Sequence, residues 1–267
     1  MNEPTIHLIS GMPRSGSTLL GNILAQNPRF HATATSGIVD VLFGVRNHWD
    51  QLGAFKAMPD RAECEAAKLR VLRGILAAYH GECGKPVVFD KSRSWLAYLE
   101  MAEAVLGRPA KVLVPVRDLR DVLASFELLW RASAGTGQGE AEAAHFFEFQ
   151  TVEGRCAVWT RGDQPVGLAF NRIKDALQRG FRDRMHFVRF EELTRDPART
   201  LDAIYRFLGE DPFPHDFDRV EQATREDDRA YGPFDLHRIR SRVEPVAPRW
   251  PGVLGQAAAP YAGIEVW

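Results

Sequence analysis

The chain has 267 residues, 45% of them hydrophobic and 26% charged, which is enough apolar material for one large buried core. Its formal net charge of −1 excludes bulk nucleic-acid binding, which draws affinity from many lysines and arginines, so any positive site must be local. Cys64, Cys83 and Cys156 are odd in number and lack CxxC spacing, which points to reduced thiols and away from a disulfide framework or a zinc site.

The opening Met1-Asn2-Glu3-Pro4 has no basic region, and the apolar run after it is only a strand long, so the reading is a cytoplasmic chain without signal peptide or membrane anchor. From Thr5 a short strand, a glycine-bounded loop and an amphipathic helix follow one another directly. That order makes a phosphate cradle: Gly11 and Gly16 let backbone N–H groups turn inward, and a helix starting near Ser17 and Thr18 adds its positive end. The nucleotide-triphosphate form of such a loop reads GxxxxGK[ST], with a lysine for the terminal phosphates. Here the string is GMPRSGST, with Ser17 in the lysine's place and Arg14 supplying the charge.

Asn27-Pro28 ends the first helix. Ile38, Val39, Leu42, Phe43 and Val45 recur at near-helical spacing over 36–49, and a polar helix follows at 61–79. Two strand–helix units come next, with strands at 86–90 and 111–116 and helices at 95–106 and 118–130. Their continuous β-branched runs suit strands buried on both faces of a parallel sheet. Residues 132–140 read as a lid or surface loop. Helical stretches resume at 141–160 and 165–179, followed by a strand at 186–190 and a helix at 197–208 that Gly209 can cap. From Asp227 onward periodicity fades. The implied fold is a single α/β domain over 1–267: a doubly wound, three-layer parallel sheet with helices on both faces and its ligand site at the carboxyl ends of the strands.

The string PRSGSTLL resembles the 5′-phosphosulfate loop of sulfotransferases that use 3′-phosphoadenosine 5′-phosphosulfate, especially the protein-tyrosine and carbohydrate branch. The resemblance implies that Pro13, Arg14, Ser15, Gly16, Ser17 and Thr18 hold the 5′ end of that donor. Arg117 ends an apolar strand, and Ser125 follows eight residues later, just over two helical turns. The pair resembles the family's 3′-phosphate motif, although surface ion pairing of Arg117-Asp118 and Arg120-Asp121 would account for the arginine alone. In His186-Phe-Val-Arg-Phe-Glu-Glu-Leu, Phe190 takes the place of an aromatic residue near the adenine, or else belongs to the core.

Sulfuryl transfer calls for positioning and positive charge around the moving group. Arg14 is the first catalytic candidate, and Lys91, directly after a strand, matches a lysine that contacts the sulfonate in the resembled family. Ser241 is a weaker match to a serine that assists the transition state; Arg238, Arg240 and Arg242 around it either line the 3′-phosphate or merely solvate a loop. The glutamate base of tyrosine sulfotransferases falls here on Thr35, which cannot take a proton, so Asp40 is assigned as the substitute base, with His31 and Asp50 nearby. No metal is implied. The partners implied are the nucleotide donor and a hydroxyl on a peptide tyrosine, a sugar or a small metabolite, with no nucleic acid and no membrane; a homodimer stays open. The rival readings are a nucleotide-binding protein without transfer activity and, against the missing lysine, a P-loop kinase or NTPase.

Overall fold

The computed structural model describes residues 4–133, 142, 144–228, 236–265 and 267. Five strands, β1 (Thr5–Ile9), β2 (Phe30–Thr35), β3 (Val87–Lys91), β4 (Val112–Val116) and β5 (Met185–Arg189), form one sheet in the order β2-β3-β1-β4-β5. Every neighbouring pair is parallel, with Ile9 beside Lys91 on one side of β1 and beside Leu113 on the other. The chain moves to one side of β1 for β2 and β3, and to the other for β4 and β5. The loop after β1 therefore opens at the point where the strands diverge, which is where parallel sheets place their ligands.

Strand alternation builds two cores. Ile6, Leu8, Val88, Val112, Val114 and Val116 turn to one face. There they meet α2 (Ile38–Gln51), α4 (Arg61–His80), α5 (Leu99–Leu106), α6 (Leu119–Ser133), α7 (Val152–Trp159) and α8 (Pro165–Gln178). Short α3 (Gly53–Lys56) links α2 to α4 and buries nothing. Ile9, Val87, Phe89, Leu113 and Val188 turn to the other face, under α1 (Ser17–Leu24) and α10 (Pro197–Leu208). The layers are completed by α9 (Phe190–Arg195) and α11 (Trp250–Val253). This is the three-layer α/β arrangement that the apolar runs predict.

The sequence pattern does not announce β2. Its Phe30-His-Ala-Thr-Ala-Thr carries one large apolar residue, it pairs only with β3 at the sheet edge, and its register shifts between Ala32 and Thr35. Pairing with β3, and not intrinsic propensity, makes it a strand. Two boundaries also move. The strand expected at 186–190 stops at Arg189 and Phe190 opens α9, while the helical stretch expected at 141–160 contains a separate 3₁₀ turn, Glu148–Gln150, before α7. Thr151 breaks the run by adopting an extended backbone and accepting a hydrogen bond from Gly154 N at 3.0 Å as the cap of α7. The lid expected at 132–140 lies, from 134 on, outside the described residues. Among those described, no helix is long and apolar enough to cross a membrane.

Candidate active site

Past the end of β1 the chain keeps pairing with β4: Ser10 N donates to Leu113 O at 3.0 Å and Met12 N to Pro115 O at 2.9 Å. Only glycine fits between, since a Cβ on Gly11 would stand 2.2 Å from Pro115 O. The loop then curls through left-handed conformations at Arg14 (φ 58°) and Gly16 (φ 83°). Arg14 is the one non-glycine residue with positive φ among those described, a strain of roughly 1–3 kcal/mol that the surroundings must hold in place. Part of that hold is Ser15, whose buried hydroxyl donates to Met12 O at 2.6 Å, with Pro115 O at 3.0 Å. The hydroxyl of Ser15 thus points into the protein and braces the loop. No side chain caps α1, and its first turn carries no acidic residue, which leaves its positive end facing a cavity of about 490 Å³.

That cavity is lined by Pro13, Arg14, Gly16, Ser17, Thr18, Lys91, Arg117, Ser125 and Phe190, among others. The loop and the strand-end arginine, far apart in sequence, are therefore brought together. Arg117 Nη1 donates to Arg14 O at 3.3 Å, its Nη2 stands 3.5 Å from Asp121 Oδ2, and its guanidinium lies 4.4 Å from the centre of the Phe190 ring. The same ring occupies the space a Gly16 Cβ would need, 2.6 Å away. Phe190 is thus wedged between the loop and Arg117. Burial, followed by repulsion from Arg117, pushes the Arg14 guanidinium below the usual arginine value; burial does the same to Arg117 against the pull of Asp121. Arg117 Nε is buried with no hydrogen-bond partner among the described residues. Ser125, which borders the same cavity as Arg117, accepts from Arg14 Nε at 3.0 Å.

Lys91 ends β3 and is buried there. Its ammonium donates to Thr18 Oγ1 at 3.3 Å and to Glu226 Oε1 at 2.9 Å. Glu226 also accepts from Thr35 N at 2.8 Å, so a carboxylate from far along the chain stands against Thr35. Burial pushes the Glu226 carboxyl up, but the Lys91 ammonium outweighs it and holds the group below the usual carboxylate range. Beyond Glu226, His237 Nε2 lies 3.4 Å from its Oε2, and His237 Nδ1 lies 2.5 Å from Asp228 Oδ1. None of Glu226, Asp228 or His237 is singled out by sequence; they lie in the unpatterned tail. Buried Asn22 on α1 anchors that tail, its amide donating to Thr224 Oγ1 at 2.9 Å and its carbonyl accepting from Ala223 N at 2.6 Å and Thr224 N at 2.9 Å.

Two predicted residues stand apart from this group. Ser241 is exposed and off the cavity lining, its backbone carbonyl accepting from Val220 N at 2.6 Å. Asp40, exposed on the first turn of α2, lines a neighbouring hollow of about 400 Å³ together with Asp163 and Arg172; Thr35, Ser92, Arg93 and Pro165 border both spaces. Arg238, Arg240 and Arg242 all border the main cavity, with Arg240 near Glu244 (3.5 Å) and Arg242 near Asp218 (3.0 Å). Among the described residues no three His, Cys, Asp or Glu side chains gather as a metal-binding set.

Comparison with solved structures gives the same architecture. The sulfotransferase domain from the curacin biosynthetic pathway superposes with a TM-score of 0.53 at 19% identity, covering 100% of this chain and 93% of that one. The sulfotransferase domain from the Synechococcus PCC 7002 olefin synthase gives 0.51 at 20% identity, covering 100% and 98%. At such identities the likeness is one of fold. No curated protein matches the sequence. The model of the sulfotransferase family does match, over residues 7–215, a span that holds the phosphate loop, Lys91, Arg117 and all five strands except the first two residues of β1. The chain belongs to the sulfotransferase family and is a sulfotransferase enzyme.

Proposed function

We propose that this enzyme takes the sulfonate of 3′-phosphoadenosine 5′-phosphosulfate and transfers it to a hydroxyl acceptor. The observation that supports the donor assignment is the pair of half-buried guanidinium groups, Arg14 and Arg117, set against the open end of α1, with Arg117 Nε a buried donor that has no partner among the described residues. Two adjacent half-buried cations and an uncapped helix end favour the arrival of an anion. A nucleotide with phosphate at both ends supplies two: the 5′-phosphosulfate for the amides of 15–18, and the 3′-phosphate for Arg117. Arg14, with Ser125 on its Nε, lies between them. Lys91, beside Thr18, is then placed to neutralise charge as the sulfonate leaves the 5′-phosphate. The second hollow, joined to the first at Thr35 and Ser92 and carrying Asp40, Asp163 and Arg172, suits a polar acceptor such as a sugar, a peptide tyrosine or a small hydroxylated metabolite.

The test is a thermal-shift titration with adenosine 3′,5′-bisphosphate. Stabilisation without magnesium, exceeding that given by ATP, is expected; at a hundred times Kd the shift corresponds to about 2.7 kcal/mol. Preference for magnesium–ATP would replace this reading with the kinase one. Turnover of the donor to adenosine 3′,5′-bisphosphate then separates an active enzyme from a protein that only binds.

A further inference from the structure

The hollow beside the main cavity carries charges that the donor assignment does not use. Asp40 stands on the first turn of α2 and Asp163 on the turn before α8, and both line the hollow without bordering the main cavity. Neither carboxylate has an ion-pair or hydrogen-bond partner for its side chain among the described residues, although Arg93 and Arg172 border the same space. Arg172 is engaged with the backbone, its Nη1 donating to Arg93 O at 3.2 Å. Resting on the donor assignment above, we propose that the acceptor seated in this hollow is a polyhydroxylated amine, such as an amino sugar or an aminocyclitol. Its ammonium is held by Asp40 and Asp163 while one of its hydroxyls reaches the sulfonate.

Two further side chains point to a hydroxylated ligand. Ser36 and Ser92 line the hollow and are only 2% and 6% exposed. Each hydroxyl oxygen accepts one backbone N–H, from Ile38 at 3.3 Å and from Ser94 at 3.4 Å, and neither hydroxyl proton has an acceptor among the described residues. Two buried O–H donors are therefore available to the oxygens of a ligand. Leu168 and Ala169 of α8 add a small apolar patch for ring carbons, and among the described residues no aromatic side chain lines the hollow, so a flat phenol finds no ring to stack on. The volume of about 400 Å³ falls in the range of small-molecule sites. Because Thr35 and Ser92 border both spaces, a ligand lying across that junction presents one end to the donor and the other to the two carboxylates. Charge then selects the atom that reacts. An ammonium has no lone pair, so the nitrogen stays out of the chemistry and the hydroxyl at the junction is the nucleophile. Its oxygen bonds to sulfur, the bond from sulfur to the 5′-phosphate oxygen breaks with its electron pair staying on the phosphate, and the hydroxyl's proton leaves to water.

The deciding experiment is calorimetry on the full-length protein saturated with adenosine 3′,5′-bisphosphate, titrated near neutral pH with matched probes. These are glucosamine against N-acetylglucosamine, and 2-deoxystreptamine against myo-inositol. Each amine is expected to bind about tenfold or more tightly than its neutral partner, as charged hydrogen bonds allow. Asp40→Asn and Asp163→Asn should each lower that ratio, and the double variant should abolish it. Both residues are exposed, and a retained thermal shift with the bisphosphate shows that each variant is folded. With 3′-phosphoadenosine 5′-phosphosulfate as donor, the product of an amine probe should carry its sulfate on oxygen. Equal binding within a pair, no binding of either amine, a preference that survives the double variant, or sulfate on nitrogen overturns the proposal. So does tighter binding of tyramine than of glucosamine, which would make the acceptor a phenol. Failure of the unmutated protein to bind adenosine 3′,5′-bisphosphate overturns the donor assignment itself, whereas binding it without discriminating amines overturns only the acceptor class.

Discussion

Arg117 meets Arg14 O, Asp121 and the Phe190 ring, yet its Nε has no partner among the described residues, so a ligand has a buried donor to claim. Arg117→Ala should weaken binding of adenosine 3′,5′-bisphosphate by about 1.5–3 kcal/mol, the range for charged hydrogen bonds, in a calorimetric titration. Unchanged affinity would discard the 3′-phosphate assignment. Lys91 needs a more careful design, because Lys91→Ala strands Glu226 as a buried carboxylate and breaking such a pair costs about 3–5 kcal/mol by itself. The double variant Lys91→Met with Glu226→Gln removes both charges and should recover most of that stability. Both variants should still lose turnover more than they raise the donor's KM, as should Arg14→Ala. If the double variant keeps its turnover within about threefold, roughly 0.7 kcal/mol, Lys91 has no part in the chemistry.

At the level of elements, the loop between β1 and α1 works because two glycines are used differently. Gly11 permits a close approach to β4, and Gly16 permits a left-handed turn with the Phe190 ring where a Cβ would be. Gly84 has a similar positive φ of 64° but open space around it, which makes it an internal control. Gly84→Ala should cost only the left-handed strain, about 1–2 kcal/mol. Gly16→Ala must also displace Phe190, and with it the ring that Arg117 lies over. Chemical unfolding should therefore show a larger loss for Gly16→Ala, and only that variant should lose the thermal shift with adenosine 3′,5′-bisphosphate. Equal losses with nucleotide binding intact would mean that the loop adapts without Phe190.

For the whole molecule, His7 links the sheet to pH. It lies in β1 on the α1 side, 2% exposed, and burial, then Arg108 and Lys111, push its pKa down to about 3 despite Glu210 at 3.7 Å. In the unfolded chain it titrates near 6.5. Between those values the unfolded chain binds a proton that the folded one refuses, so stability is full above about pH 6.5 and falls as pH drops toward 3, by about 1.4 kcal/mol per unit. Burial lowers His31, His186 and His215 as well, in the same direction. His7→Gln isolates one share of the effect. Moving urea unfolding from pH 7 to pH 5 should cost the unmutated protein about 1.5–2 kcal/mol more than the variant. Equal costs would show that His7 is protonated within the fold.

The order of the amino acids encodes what local chemistry can carry. The loop GMPRSGST is legible because glycines at fixed spacing between a strand and a helix have few other uses, and the apolar runs at β3 and β4 are legible because strands buried on both faces need no polar alternation. The helix ends were written in residues as well: Gly209 closes α10 at φ 69°, its N–H on Tyr205 O. The remainder came from contacts between residues far apart in the chain. β2 became a strand only when β3 lay beside it, and Ser125 meets Arg14, 111 residues away in the chain. Glu226, Asp228 and His237 carry no periodicity and no motif; only the folding of the tail across α1 sets Glu226 against Lys91 and Thr35. A residue far along the chain that borrows its meaning from a neighbour in space leaves no pattern in the order of the amino acids.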